Sequence, residues 1–142
     1  MARTAQEQTF EAALSELRRG RKQGHWMWFI FPQIDGLGSS PMAKKYAIKS
    51  PAEARAYLNH PVLGFRLLQC CRVILAEHGK SGLEIFGYPD DMKLRSSMTL
   101  FSAVAGTHGE CGEVIEKYFG GHKDARTTEL LKQAANEFGP PD

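Results

Sequence analysis

Residues 25 to 33 read HWMWFIFPQ, a stretch that holds both tryptophans of the chain, a leading histidine, two phenylalanines and a proline that stops regular backbone. Six apolar residues, Trp26 to Phe31, follow one another. That is far short of the ~20 needed to cross a bilayer, so this run must leave water inside the fold or beneath a partner. A run this brief has no readable period, and we expect a buried helical turn over 25–31, with a short strand as the alternative.

The rest of the chain is punctuated in the manner of helices. Phe10, Ala13, Leu14 and Leu17 recur on one helical stripe that stops near Gly20 to Gly24. Pro32 closes the aromatic run, and IDGLGSSP reads as a turn-rich loop. Ser50 with Glu53 forms a capping box before Pro51, which predicts a helix over 51–59. His60 and Pro61 mark a junction, after which Leu63, Leu67, Cys71, Ile74 and Leu75 form the stripe of a central helix ending at Gly79. Ser81 and Glu84 make a second box around LEIF, and Asp90 and Asp91 open a helix through Ala105, acids standing where the helix dipole favours them. Thr107 with Glu110 predicts the cap of a helix carrying Val114, Ile115, Tyr118 and Phe119; Asp124 starts one carrying Leu130, Leu131, Ala134 and Phe138.

No segment alternates apolar and polar residues as a half-buried strand would. The expected architecture is therefore all-α, a single compact domain over 1–142 with about six short to medium helices and with 1–5 and 139–142 frayed. A chain of 142 residues buries roughly two thirds of its unfolded surface, enough for one real core. A formal charge of +2 implies no phosphate-tracking surface, so nucleic acid is not the expected partner. Three cysteines, two of them adjacent, make a disulfide framework a poor fit. The opening lacks a secretory apolar run, and the expected compartment is the cytoplasm.

Chemistry is best sought in DDMKLRSSMTLF, residues 90 to 101. Wound at 100° per residue, Leu94, Met98, Phe101 and Ala105 fill one side and Leu100 and Val104 extend it. Lys93 and Ser97 fall between these groups, one turn apart, while Arg95, Thr99 and Ser102 fall on what reads as the solvated side. A buried ammonium needs a partner. Lys93 either lays its stem over the core edge with its nitrogen in water, pairs with a carboxylate such as Glu84, or faces an anionic ligand together with Ser97. The natural second wall of such a cleft is HWMWFIFPQ, with Trp26 and Trp28 offering ring faces and His25 and Gln33 polar handles. His25 and Asp90 are the candidate proton-transfer groups, although an acid at a helix start is commonly a cap. Arg18, Arg19, Arg21 and Lys22 precede the aromatic run and also suit the negative end of the first helix. His108 and Cys111 stand three apart without a second pair at zinc spacing, and no phosphate-binding or nucleophile-elbow motif is present, so neither metal nor cofactor is expected.

The strings HWMWFIFPQIDGLGSS, YLNHPVLGFRL and DDMKLRSSMTLF, in that order, resemble a bacterial domain-of-unknown-function family that carries the label calpastatin. The resemblance spans about Phe10 to Leu131. It implies a small, cytoplasmic, largely helical protein and transfers no catalytic residue to this chain.

Two functions follow from the residues. One is an aromatic and basic cleft, formed by Trp26, Trp28, Gln33, Lys93 and Ser97, that binds an anionic, nucleotide-like small ligand. The other is an interaction module that docks a protein or nucleic acid through 25–33, with Arg21, Lys22 and Trp26 as anchors.

Overall fold

Serine followed by proline sets two of the helix starts. At Ser50 the side-chain oxygen accepts the amide of Glu53 at 3.1 Å, and Pro51 occupies the first helical position. Ser40 and Pro41 repeat the device, with Ser40 Oγ accepting from Ala43 N at 3.1 Å. The Glu53 carboxylate reaches past Ser50 to the amide of Lys49 at 2.9 Å, so that box is displaced by one residue. The Ser81–Glu84 box closes in both directions.

A computed structural model describes residues 2–105 and 109–138, with side chains described for 9–105 and 109–136. Among them are nine helices: α1 Ala2–Arg18, α2 Met27–Ile30, α3 Pro41–Tyr46, α4 Pro51–Asn59, α5 Leu63–Ala76, α6 Gly82–Phe86, α7 Asp90–Ala105, α8 Glu110–Phe119 and α9 Ala125–Phe138. No strand occurs among the described residues; a single bridge pairs Ile34 with Ile48 and ties the ends of the segment that carries α3. The all-α class holds. The 25–31 run contains one helical turn, α2, and the chain has more short helices than its stripes suggest. Helix α3 replaces the end of the turn-rich loop expected over IDGLGSSP and the chain after it, and its Ser40–Pro41 start is the same local signal as Ser50–Pro51. The Thr107 cap, His108 and the terminal residues 139–142 lie outside the described residues; α8 itself begins at Glu110 after Gly109.

Helix α7 runs through the middle, packed against α4, α6, α8 and α9, while α5 packs against α1, α4 and α8. This placement overturns the expectation of a solvated side on α7. Thr99 and Ser102 are buried, as are Ser96 and Ser97. The helix tolerates them because most of the hydroxyls bond back to its own carbonyls: Ser96 to Met92, Thr99 to Arg95 and Ser102 to Thr99. Arg95, half-buried, donates to the carbonyls of His122 and Lys123 and so fastens the turn before α9. Ala105, expected in the core, lies exposed at the end of the helix.

The stripe on α1 is buried as read, and Leu67, Cys71 and Ile74 of α5 are fully buried while Leu63 and Leu75 lie at its margin. His60 is more than a junction, since its Nδ1 accepts the amides of Val62 and Leu63 at 3.1 Å and caps the start of α5. Cys70, Cys71 and Cys111 are all free thiols inside the core, with Cys71 Sγ 3.6 Å from Met98 Sδ. Burial pushes the Cys70 thiol up to about 12. A thiol–thiol hydrogen bond with Cys111, and then burial, push Cys71 up as well.

Candidate functional site

The turn from α1 into α2 brings the aromatic run against the first turn of α7. Trp26 is 2% exposed, packed edgewise on Phe86 and tilted against Phe31, with its indole N–H donating to Glu16 Oε1 at 2.8 Å. The same oxygen accepts the amides of Gln23 and Gly24 at 2.7 and 2.9 Å. Partial burial raises the Glu16 carboxyl, but these hydrogen bonds and nearby Lys22 outweigh it and hold the group below its ordinary range.

Lys22 lies folded inward. Its side chain is 6% exposed, its ammonium stands 2.7 Å from Asp90 Oδ2 and 5.1 Å from the Trp26 ring centre, and it donates to the carbonyl of Gly24. The other carboxylate oxygen of Asp90 is 3.5 Å from Lys93, which remains 30% exposed and sits 5.4 Å from the Trp28 ring centre. One carboxylate at the head of α7 therefore serves two lysines, tightly on one side and loosely on the other. Glu84, the partner offered for Lys93 from the sequence, instead closes the Ser81 box. Lys93 is the ammonium with donor capacity to spare.

Lys93, Trp28, Pro32, Gln33 and Tyr46 line a narrow crevice with about 10 Å³ of free space, close to the size of one water. Trp28 is partly buried, and its indole N–H is shielded from solvent without a hydrogen-bond acceptor among the described residues. Tyr46 also borders a wider hollow of about 420 Å³, which carries Lys45, Lys49, Tyr57 and His60. The Tyr46 ring is set edge-on to Phe29 at 4.9 Å, and the Tyr57 hydroxyl donates to the Phe29 carbonyl at 3.2 Å.

Of the residues singled out from the sequence, the structure brings together Trp28, Gln33, Lys93 and, through its carboxylate, Asp90. Trp26 belongs to the core beneath them. Ser97 is fully buried with no partner for its hydroxyl among the described residues, and it lines neither hollow. His25 is exposed and also lines neither. Trp26, Met27, Ile30 and Phe31 are all buried, so as a docking surface the 25–33 run offers little beyond His25 and parts of Trp28, Phe29 and Gln33. Glu16 and Tyr46 are the members that sequence reasoning missed, and Lys22, expected as an outward docking anchor, is instead turned inward onto Asp90. Lys22 was visible only as one cation in a basic run, and nothing in its spacing distinguishes the inward lysine from its solvated neighbours. Among the described residues no group of three or more His, Cys, Asp or Glu could hold a metal ion, and no helix is long and apolar enough to cross a membrane.

The fold and this crevice define an all-α protein with an indole and an ammonium meeting beside a shared carboxylate. The chain belongs to the family described as protein of unknown function (DUF1810), whose model matches residues 2–131. It is similar to the conserved hypothetical protein Rv1873 from Mycobacterium tuberculosis, a crystal structure with 50% sequence identity and a TM-score of 0.88 that covers 91% of this chain and 92% of its own. Neither description carries the label calpastatin. No curated protein is similar enough to count as a match.

Proposed function

We propose that the Trp28–Lys93 crevice binds the anionic group of a small, nucleotide-like ligand, with Trp28, Gln33 and Lys93 as contacts and Asp90 holding Lys93 in place. The observation that carries this reading is the solvent-shielded indole N–H of Trp28, which has no acceptor among the described residues, on a side chain that lines the same crevice as a lysine bound only loosely to its carboxylate. A buried donor without a partner costs about 1–3 kcal/mol, and an oxygen from a ligand removes that cost. The crevice takes the oxygen end of a group rather than a ring. The body of the ligand then lies past Tyr46, over the wider hollow where Lys45 adds positive charge beside Glu53 and beside Lys49, which is itself paired with Asp35 at 3.5 Å.

Thermal-shift screening of the whole chain against nucleotides, ADP-ribose derivatives and sugar phosphates tests this. A ligand at 100 times its dissociation constant adds ~2.7 kcal/mol of stability. Lys93→Met is expected to fold normally, because its pair with Asp90 is long and partly exposed, and to lose the ligand response. A flat response across the panel, or a response unchanged in Lys93→Met, would sink the proposal.

A further inference from the structure

A second hollow, of about 260 Å³, opens at the far end of α7, where that helix meets α9 and the start of α4. Val104 lies about 17 Å along the helix axis from Lys93, so the two places are separate. The lining is mainly apolar: Pro51, Ala103, Val104, Leu131 and Ala135 supply most of it.

Its two hydroxyls are already engaged. Thr99 Oγ1 donates to the Arg95 carbonyl at 2.8 Å and accepts the Asp124 amide at 2.9 Å, and Thr128 donates to the Asp124 carbonyl at 3.2 Å. An apolar occupant therefore leaves no hydroxyl stranded, the usual penalty for placing hydrocarbon against polar groups. The remaining polar groups on the lining are the side chains of Lys123 and Lys132, both exposed and neither in an ion pair among the described residues. An apolar trough with two uncommitted ammoniums on its border is complementary to a hydrocarbon tail ending in one negative charge.

We infer that this groove binds a medium-chain carboxylate, with the tail between α7 and α9 and the carboxylate at Lys123 and Lys132. Calorimetric titration of the whole chain with octanoate is expected to show saturable binding, with none for acetate, which lacks the tail, or for octylammonium, which reverses the charge. The double variant Lys123→Glu/Lys132→Glu is expected to weaken octanoate by about tenfold. Ala135→Trp, which fills the trough from α9, is expected to remove binding while circular dichroism shows a cooperative melt; Val104→Trp fills it from the opposite wall should the first variant fail to fold. Absence of saturable octanoate binding, or equal affinity in a folded filled variant, overturns the inference.

Discussion

The ammonium of Lys22 and the carboxylate of Asp90 meet at 2.7 Å with only 6% of the lysine side chain exposed. Removing the carboxylate strands a charge that cannot easily reach water. Asp90→Asn is therefore expected to destabilise the fold by about 2–3 kcal/mol, below the largest values for buried pairs because Asp90 is itself partly exposed. Lys22→Met, which removes the charge and keeps the stem, is expected to cost much less. Urea unfolding of both variants and of the double variant checks this, and equal losses in the two single variants would refute it.

Glu16 ties the fold to pH. Its carboxyl lies below its ordinary value near 4.5 in the folded chain, so the folded state favours the ionised form. The stability it contributes is complete above that value and is lost as pH falls through the lower folded value. Unfolding midpoints measured between pH ~6 and ~3 are expected to decline less steeply for Glu16→Gln than for the parent chain. The amide can still accept from Gln23, Gly24 and Trp26, which isolates the charge from the hydrogen bonds.

Ser97 presents the opposite case, a residue at 0% exposure whose hydroxyl has no partner among the described residues. Ser97→Ala removes an unsatisfied polar atom and places a better helix former within α7, so it is expected to raise stability by about 0.5–1 kcal/mol. A loss of stability measured by chemical unfolding would mean that the hydroxyl has a partner in solution.

Gly64 lets α5 pass close to the end of α4. A Cβ built there would lie 1.8 Å from the Leu58 carbonyl oxygen and 3.1 Å from that of Tyr57, both backbone atoms that cannot rotate aside. Gly64→Ala is expected to cost about 3 kcal/mol or more, read as a drop in melting temperature.

Much of this fold was legible because caps are local. Ser50, Ser81 and Asp124 announce their helices through contacts within a few residues, and apolar stripes such as Leu14 and Leu17 point to the core without knowledge of the partner surface. The α7 hydroxyls were misread for the converse reason: whether Thr99 and Ser102 face water depends on four neighbouring helices that no local spacing reveals. The site divides in the same way. Lys93 stood out as a cation inside an apolar sector, whereas the inward turn of Lys22 and the arrival of Tyr46 follow from how distant segments pack.

The sealed thiols of Cys70, Cys71 and Cys111 turn the interior into a recorder of its own opening. With Cys70 raised to about 12 and Cys71 raised as well, the reactive thiolate is scarce while the helices stay together. An alkylating reagent supplied in excess therefore marks a molecule when its helices part, and the slow accumulation of label counts those excursions one molecule at a time.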